Sequence, residues 1–311
     1  MNPETVTTVI TGPPTEDATP KSRPPLEIAL RDACLIEVHA RKAGNVHSER
    51  GFEDVDHRDF LRSTAAIVPV LVRSAQLGPA RAILESVRAM RSSVGKNTHL
   101  GTILLLAPLA AVPSDVACKN GIQPVLDNLP ADAAGLVYEA IRLAQPGGLG
   151  RVDDQDLSDA PTVSLIEAMA LAADRDLVAR QYVNGFADVM NFGVPCFIEA
   201  TKNCRDWEHA VIRLQLELMS RYPDSLILRK GGTGTAEESK KRAAAVLEAE
   251  RRDPCSFDEE FAKFDDWLRS DRHRRNPGTT ADLIIATLFV ALREGHWSPP
   301  PGLITSRTAE I

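Results

Sequence analysis

Apolar residues recur at spacings of three and four along most of the chain from Leu26 onward. Leu26, Leu30 and Ala33 begin such a run, and this period places apolar side chains on one face of an α-helix. Alternating strand patterns bounded by hairpin turns do not occur in the sequence. The pattern therefore predicts an all-α fold. We expect helices over 26–38, 60–71, 79–93, 99–112, 131–144, 162–173, 176–191, 207–222, 236–252, 257–272 and 280–293.

The last predicted helix differs from the others because it is apolar on most sides. Leu283, Leu288 and Val290 point in different directions on a helix, so we expect this helix to be buried at the centre of the fold. Residues 1–25 are rich in Thr and Pro without apolar periodicity, a composition typical of disorder. We therefore expect a single multi-helix catalytic domain over 26–297, between a disordered N-terminal tail (1–25) and a C-terminal tail (298–311).

Composition and charge exclude several classes of protein. The net charge of −7 argues against binding nucleic acid through the overall field. Apolar runs such as 103–112 are too short to span a bilayer, and no secretory signal opens the chain. The five cysteines are odd in number and form no C-x-x-C pair, which favours reduced thiols over disulfides or zinc. We expect a cytoplasmic protein without nucleic-acid or membrane partners; the sequence does not indicate its oligomeric state.

Residues 37–54, at the end of the first predicted helix and just after it, include polar side chains that suit phosphate binding. Arg41 and Lys42 are adjacent cations that suit a polyphosphate, and the acids nearby suit a divalent ion carrying it. In the alternative interpretation, the two cations complement a helix C-terminus, with Glu37 paired to Arg41 at i,i+4. The residues alone leave both interpretations open.

Two further segments combine glycine with cations. Residues 95–101, GKNTHLG, open an apolar helix whose N-terminus suits phosphate, although Asn97 as a plain N-cap explains them equally well. Residues 228–235, LRKGGTGT, allow a ligand to approach the backbone closely, but Thr235 and Glu238 also form an ordinary capping box.

A fourth polar segment, 274–282, opens the last predicted helix. Thr279 or Thr280 suits the cap of this helix and Asp282 its first turn, whereas Asp282 facing a cleft would suit a metal ion. Each segment is ambiguous by itself. Because all four lie at helix ends, we expect them to share one pocket.

Taken in order, these segments resemble the triphosphoribosyl-dephospho-CoA synthase family. That family carries E-V…K-P-G-x-V-D, G-x-x-x-D-M/F, N-T-H-K-G, R-x-G and P-G-G/T-x-A-D-L. The corresponding residues here are Glu37-Val38, Lys42-Ala43-Gly44-Asn45-Val46-His47, Gly51-Phe52-Glu53-Asp54, Asp59-Phe60, Asn97-Thr98-His99-Leu100-Gly101, Arg229-Lys230-Gly231 and Pro277-Gly278-Thr279-Thr280-Ala281-Asp282-Leu283. The resemblance extends over nearly the whole chain without its N-terminal tail.

The resemblance implies an all-α enzyme that transfers a triphosphoribosyl group from ATP to dephospho-CoA and releases adenine. A ribose hydroxyl would attack the anomeric carbon of the ribose of ATP through an oxocarbenium-like transition state. Such a reaction needs acids near the developing positive charge, and cations or Mg²⁺ on the triphosphate.

The resemblance also implies roles for individual residues. The catalytic candidates are Asp54, His99 and Asp282, and the candidate Mg²⁺ ligands are Glu37, Asp54 and Asp282. The candidate substrate- and nucleotide-binding residues are Lys42, Asn45, His47, Asn97, Thr98, Arg229, Lys230, Gly231, Arg275, Gly278 and Thr279. His99 has an alternative interpretation as a structural histidine at a helix start.

Three positions depart from the family pattern. Ala43 replaces a proline, His47 an aspartate and Leu100 a lysine. A different acceptor therefore stays open, such as that of a related ATP-dependent transferase or ligase in methanopterin-type one-carbon cofactor biosynthesis. A Mg²⁺-dependent hydrolase of ADP-ribose-like compounds and a non-catalytic nucleotide-binding protein are also compatible with the sequence.

Overall fold

The chain is built from helices. A computed structural model describes residues 23–147, 157 and 159–303. These residues form no strand, and their only β-type pairing is an isolated bridge between His47 and Arg50. The α-helices are α1 (Leu26–His39), α2 (His57–Leu71), α3 (Ser74–Leu77), α4 (Pro79–Val94), α5 (Leu100–Ala111), α6 (Cys118–Asp127), α7 (Ala133–Ala144), α8 (Leu165–Ala172), α9 (Leu177–Asn184), α10 (Val194–Asn203), α11 (Trp207–Arg221), α12 (Ser225–Gly231), α13 (Thr233–Arg252), α14 (Phe257–Arg269) and α15 (Gly278–Arg293). The predicted all-α class is confirmed, while most of the predicted tail 1–25 lies outside the described residues.

The last helix, α15, forms the centre of the fold as predicted. Every side chain from Leu283 to Leu292 is at most 2% exposed. This helix packs against α1, α5, α10 and α11, which surround it. A helix that is apolar all round must be enclosed by others. Its N-terminus is therefore held at a fixed place inside the molecule.

A second, smaller core joins α11, α13 and α14. It contains Leu216, Val246, Phe264 and Leu268, with Ile227 of α12 packed among them. The loop after α1 also enters this core through Ala43, whose N–H donates to Gln215 Oε1 at 2.9 Å. This core therefore connects the loop after α1 to α12, two parts of the chain that were both expected in the site.

Some predicted boundaries were wrong. The helix predicted over 176–191 is interrupted because Gly185 and Phe186 have φ values of +64° and +60°. A π-helix then spans Asp188–Gly193. Four short helices, α3, α6, α10 and α12, were not predicted.

Several helix caps also differ from the prediction. Neither Thr279 nor Thr280 caps α15 with its own side chain; the capping oxygen belongs to Asp224, which accepts from the N–H of Thr280 at 2.7 Å. The capping box with Thr235 is absent because α13 already begins at Thr233. The N-cap of α5 is His99 and not Asn97, although Asn97 Oδ1 accepts from the N–H of Leu100, the first residue of the helix, at 3.1 Å.

Two further properties bear on the class of protein. None of the helices in the described part of the chain combines the length and the apolar character that crossing a bilayer requires. All five cysteines are free thiols, and Cys34 and Cys118 are buried.

Candidate active site

A cavity of about 820 Å³ lies where the ends of α1, α5, α12 and α15 meet α7, α8 and α9. Ligand pockets of small-molecule enzymes span a volume of this order. Most of the residues expected in the site line its wall: Glu37, Asn45, Asp54, Asn97, Thr98, His99, Arg229, Lys230, Gly278, Thr279 and Asp282. The four predicted segments are therefore each represented in one cavity, as expected.

Asp282 presents its carboxylate to this cavity from the second turn of α15. It was predicted in the first turn, but α15 already begins at Gly278. Asp282 Oδ1 accepts a hydrogen bond from Thr102 Oγ1 at 2.7 Å. The close approach of α15 to α5 depends on Gly101, because a Cβ atom there would overlap the Asp282 carboxylate. Burial, which the bond from Thr102 opposes and the negative charge of Glu37 reinforces, raises the pKa of Asp282 to about 8. This carboxyl is thus sensitive to any cation placed beside it.

Glu37, at the end of α1, lines the same cavity and is only 4% exposed. Its carboxylate lies 3.1 Å from Lys42 Nζ, and the same ammonium donates to the carbonyl of Ala40 at 3.1 Å and to that of Glu37. Burial raises the pKa of Glu37 and lowers the pKa of Lys42, and the charge of each partner opposes these shifts. The pair predicted between Glu37 and Arg41 does not form, because Arg41 Nη2 binds Glu208 at 2.8 Å.

Lys42 therefore does not occupy the place expected of a phosphate-binding residue. Its side chain is completely buried and it is not part of the cavity wall. All its observed partners are backbone carbonyls and the Glu37 carboxylate. In this structure Lys42 holds Glu37 in position from behind the wall.

Several polar groups of the segment before α5 are already hydrogen-bonded within the protein. Thr98 Oγ1 donates to Ser63 Oγ at 2.8 Å. The His99 ring is 1% exposed, with its Nε2 at 3.2 Å from Thr64 Oγ1 and its edge against Phe60. Burial lowers the pKa of His99 to about 4, so the imidazole is neutral at physiological pH. This geometry favours the structural interpretation of His99 over a proton-donating role.

The two cations of α12 that face the cavity differ in whether a described residue binds them. Arg229 Nη1 is held by Asp176 Oδ2 at 2.6 Å, at the N-cap of α9. Among the described residues, no acceptor binds the ammonium of Lys230, which is half-buried beside Gly147. Burial lowers the pKa of Lys230, and the charge of Arg229 adds to this effect. The charges of Asp54 and Asp224 oppose this shift, but no described carboxylate forms an ion pair with the ammonium. Such a half-buried ammonium is suited to an anionic ligand.

Other expected residues lie away from the cavity. His47 is 7% exposed, and burial together with the charge of Arg269 lowers its pKa to about 4. Arg275 stacks over Trp267 at 4.4 Å and donates to its carbonyl. Gly231 ends α12 outside the wall. The expectation that these residues bind substrate directly does not agree with their positions.

Several charged residues of the wall were not predicted as site residues, namely Lys96, Arg175, Asp176 and His273. Lys96 binds the buried Asp59 at 2.7 Å, and within the described part of the chain Arg175 donates only to the carbonyl of Leu171. Lys96 adjoins Asn97 in the sequence, which could have indicated it. No local sequence pattern predicts that Arg175 or His273 lies in the site, because their positions at the cavity depend on how the helices pack.

The carboxylates of the wall do not form a metal site of three protein ligands, but two of them suit a Mg²⁺ ion that is held mainly by water and substrate. Among the described residues, no group of three or more His, Cys, Asp or Glu side chains is arranged to hold a metal ion. The predicted trio does not form because the side chain of Asp54 is 75% exposed and binds His273 at 2.8 Å. Mg²⁺, however, commonly takes only one or two carboxylates and completes its shell with water and substrate phosphates. Glu37 and Asp282 fit this second arrangement.

A different part of the wall is apolar and comes from α7 and α8. It contains Val137, Ile141, Leu165 and Met169. The cavity therefore combines a charged side, formed by α1, α5, α12 and α15, with an apolar side. Such a combination suits a ligand with both anionic and apolar parts.

Comparison with known proteins gives this cavity a context. The sequence profile of a family described as ATP:dephospho-CoA triphosphoribosyl transferase matches residues 25–300. A solved structure from Archaeoglobus fulgidus, described as a candidate triphosphoribosyl-dephospho-CoA synthase, is 26% identical to this chain. The two structures superpose with a TM-score of 0.59, over 76% of this chain and 99% of the other. A search of curated proteins gave no match.

Proposed function

The chain belongs to the ATP:dephospho-CoA triphosphoribosyl transferase family, and on this premise we propose that it transfers the triphosphoribosyl group of ATP to dephospho-CoA or a related nucleotide acceptor. The observation that carries the proposal is the joint presence, in one cavity, of two carboxylates on Glu37 and Asp282 and of a half-buried ammonium on Lys230 that pairs with none of the described acids. The free cysteine thiols support a reducing compartment such as the cytoplasm.

The proposed reaction exchanges one bond at the anomeric carbon of the ribose of ATP. A ribose hydroxyl of the acceptor forms the new C–O bond, while the bond from that carbon to adenine breaks. The electron pair of the broken bond leaves with adenine, and the hydroxyl proton is released overall to the adenine or to solvent. Positive charge develops on the ribose during this exchange, as in glycoside chemistry.

The charged side of the cavity suits the triphosphate. Lys230 offers its ammonium, and Arg229 and Lys96 also line the wall, each with a protein partner of its own. The N-termini of α5 and α15 also lie at this wall, whereas the N-terminus of α9 is already capped by the Asp176 carboxylate. Helix N-termini carry a partial positive charge that stabilises bound phosphate.

The two carboxylates suit the developing positive charge. Glu37 is kept in place by Lys42, and Asp282 by Thr102. A nearby cation opposes the effect of burial on the pKa of a carboxyl, so Asp282 ionises most readily when a cation lies beside it. Bound Mg²⁺ would supply charge neutralisation to the triphosphate, and Glu37 and Asp282 are the residues of this chain that would hold it.

The residues of the cavity indicate the acceptor substrate less directly than they indicate the triphosphate. Leu100, which replaces the lysine of the family motif, lines the wall and leaves that position uncharged. His47, which replaces an aspartate, lies outside the wall. The departure at Leu100 is thus the one that changes the binding surface, and it favours an acceptor with less negative charge at that point.

The test is chromatography and mass spectrometry of the purified protein with ATP, Mg²⁺ and dephospho-CoA. We expect free adenine together with a CoA species heavier by one triphosphoribosyl group. Adenine with free ribose triphosphate and unchanged dephospho-CoA would indicate a hydrolase. Adenine release that requires a different acceptor would assign that acceptor, whereas ATP binding without any adenine would indicate a binding protein and contradict the proposal.

A further inference from the structure

Asp224 is a buried carboxylate that caps two helices at once. It is 2% exposed and directly precedes α12. Its Oδ1 accepts from the N–H groups of Leu226 at 2.8 Å and Ile227 at 3.1 Å, which open α12. Its Oδ2 accepts from the N–H of Thr280 at 2.7 Å and from Thr280 Oγ1 at 2.8 Å, in the first turn of α15. The two oxygens thus serve two different helix N-termini.

The two helices joined in this way carry opposite parts of the proposed site. Helix α12 carries Arg229 and Lys230, the cations of the wall, in its last turn, whereas α15 carries Thr279 in its first turn and Asp282 in its second. Asp224 itself is not in the wall and touches no ligand space. Its carboxylate therefore connects the cations to the carboxylate of the site without entering it.

Helix α9 is joined to the same point. The N–H of Leu177, the first residue of α9, donates to Ser225 Oγ at 2.8 Å, immediately after Asp224. Asp176, the N-cap of α9, holds Arg229. Three helix N-termini that border the cavity are thus fixed relative to one another next to Asp224.

A residue that caps a single helix would account for only one of the two sets of hydrogen bonds that Asp224 accepts. Asp206 caps only α11, where it accepts from the N–H of His209 at 2.8 Å. Asparagine replaces such a cap well, because one side-chain oxygen is enough. At Asp224, asparagine would offer one acceptor and one donor, so one of the two helices would lose its partner.

We infer that Asp224 is a positioning residue that sets the distance between Lys230 on α12 and Asp282 on α15, and thereby the placement of the triphosphate relative to the reacting ribose. The inference rests on the proposed function for its kinetic consequence. A displacement of about 1 Å between such groups lowers rates by about 100-fold.

The test compares Asp224→Asn with Asp206→Asn as the matched control. For each variant we would measure kcat and the ATP KM of adenine release, and the melting temperature. We expect Asp224→Asn to lower kcat by about 10- to 100-fold and Asp206→Asn to leave it unchanged. Equal kinetics of the two variants would overturn the inference.

A second measurement distinguishes positioning from simple stabilisation. In a double-mutant cycle, we expect Asp224→Asn to raise the ATP KM much less in the Lys230→Met background than in the wild-type protein, because both changes act on the same contact. Additive effects would show that Asp224 only supports the fold.

Two milder variants cover the case in which Asp224→Asn does not fold. Thr280→Ser keeps the hydroxyl that donates to Asp224, and Thr280→Val removes it while keeping the shape. We expect the serine variant to retain the kcat that the valine variant loses, and equal kcat values would contradict the inference. If the wild-type protein binds ATP but releases no adenine, the proposed function fails by itself, and the ATP affinities of these variants then decide the inference.

Discussion

Gly101 in the first turn of α5 leaves the space that the carboxylate of Asp282 occupies. A Cβ atom at position 101 would overlap Asp282 Oδ2, and the next residue, Thr102, donates to the other carboxylate oxygen at 2.7 Å. Helices α5 and α15 therefore approach each other at a glycine, and the orientation of the proposed catalytic carboxylate depends on that approach.

Gly101→Ala should abolish most activity by displacing Asp282. We expect kcat of adenine release to fall by at least about 100-fold, since a small displacement of a reacting group has this effect. The matched control is Gly135→Ala in α7, where a new Cβ meets no atom within 4 Å. The control should raise stability by up to about 1 kcal/mol with unchanged activity. Equal activities of both variants would show that the position of Asp282 is unimportant.

The buried carboxyl of Asp282 should make stability depend on pH. Its pKa is about 8 in the folded protein, against 3.8 for an unperturbed aspartate. Between these values the folded state keeps a proton that the unfolded state has released. The contribution of Asp282 to the free energy of unfolding therefore decreases as the pH rises from about 4 to about 8, by an amount on the order of a few kcal/mol.

Asp282→Asn isolates this contribution, because asparagine resembles the protonated carboxyl and does not titrate. Urea unfolding without divalent ions should give similar stabilities for both proteins near about pH 5 and a more stable variant near about pH 8.5. The variant should release no adenine at either pH. Parallel stability curves of the two proteins across this range would mean that the pKa of Asp282 is not raised.

Lys230→Met should weaken ATP binding selectively. The ammonium has no acceptor among the described residues, so its removal breaks no ion pair in that part of the chain and should change the melting temperature little. We expect the ATP KM and the calorimetric Kd to rise by about 10- to 100-fold, as for loss of a charge-assisted hydrogen bond. Lys119→Met, at an exposed position of α6, is the control. An unchanged Kd would exclude Lys230 from the nucleotide site.

Lys42→Met should reduce stability much more than it reduces ATP affinity. It would leave the Glu37 carboxylate buried without its counter-charge, a change that costs about 3–5 kcal/mol. The double variant Glu37→Gln with Lys42→Met should recover much of this loss, because no buried charge then remains at this pair. If Lys42→Met is as stable as the wild-type protein and instead loses ATP binding, Lys42 contacts the phosphates after all.

The helical class, the central position of α15 and the family followed from local patterns. The apolar residues around Leu288 dictate burial on all sides, and the motif over 95–101 does place Asn97 at the start of an apolar helix. The four motifs predicted a resemblance that the family profile over residues 25–300 confirms. These features are encoded over short stretches of sequence.

The positions of individual charges could not be predicted in the same way. Lys42 and Lys230 both adjoin another cation and lie close to a glycine in the sequence, yet Lys42 is completely buried and Lys230 faces the cavity. The difference arises from tertiary partners, since Lys42 forms an ion pair with Glu37 at the end of the preceding helix and Lys230 forms none with a described acid. Asp224 could not be identified either, because its second partner, Thr280, is 56 residues away.

The claim on which the other conclusions depend is that ATP binds in the cavity between α1, α5, α12 and α15. A crystal structure of Asp282→Asn soaked with ATP and Mg²⁺ tests it most directly, since this variant should bind the nucleotide without consuming it. We predict triphosphate density beside Lys230 Nζ and the N-termini of α5 and α15. Nucleotide density elsewhere on the molecule, with this cavity empty, would contradict the account.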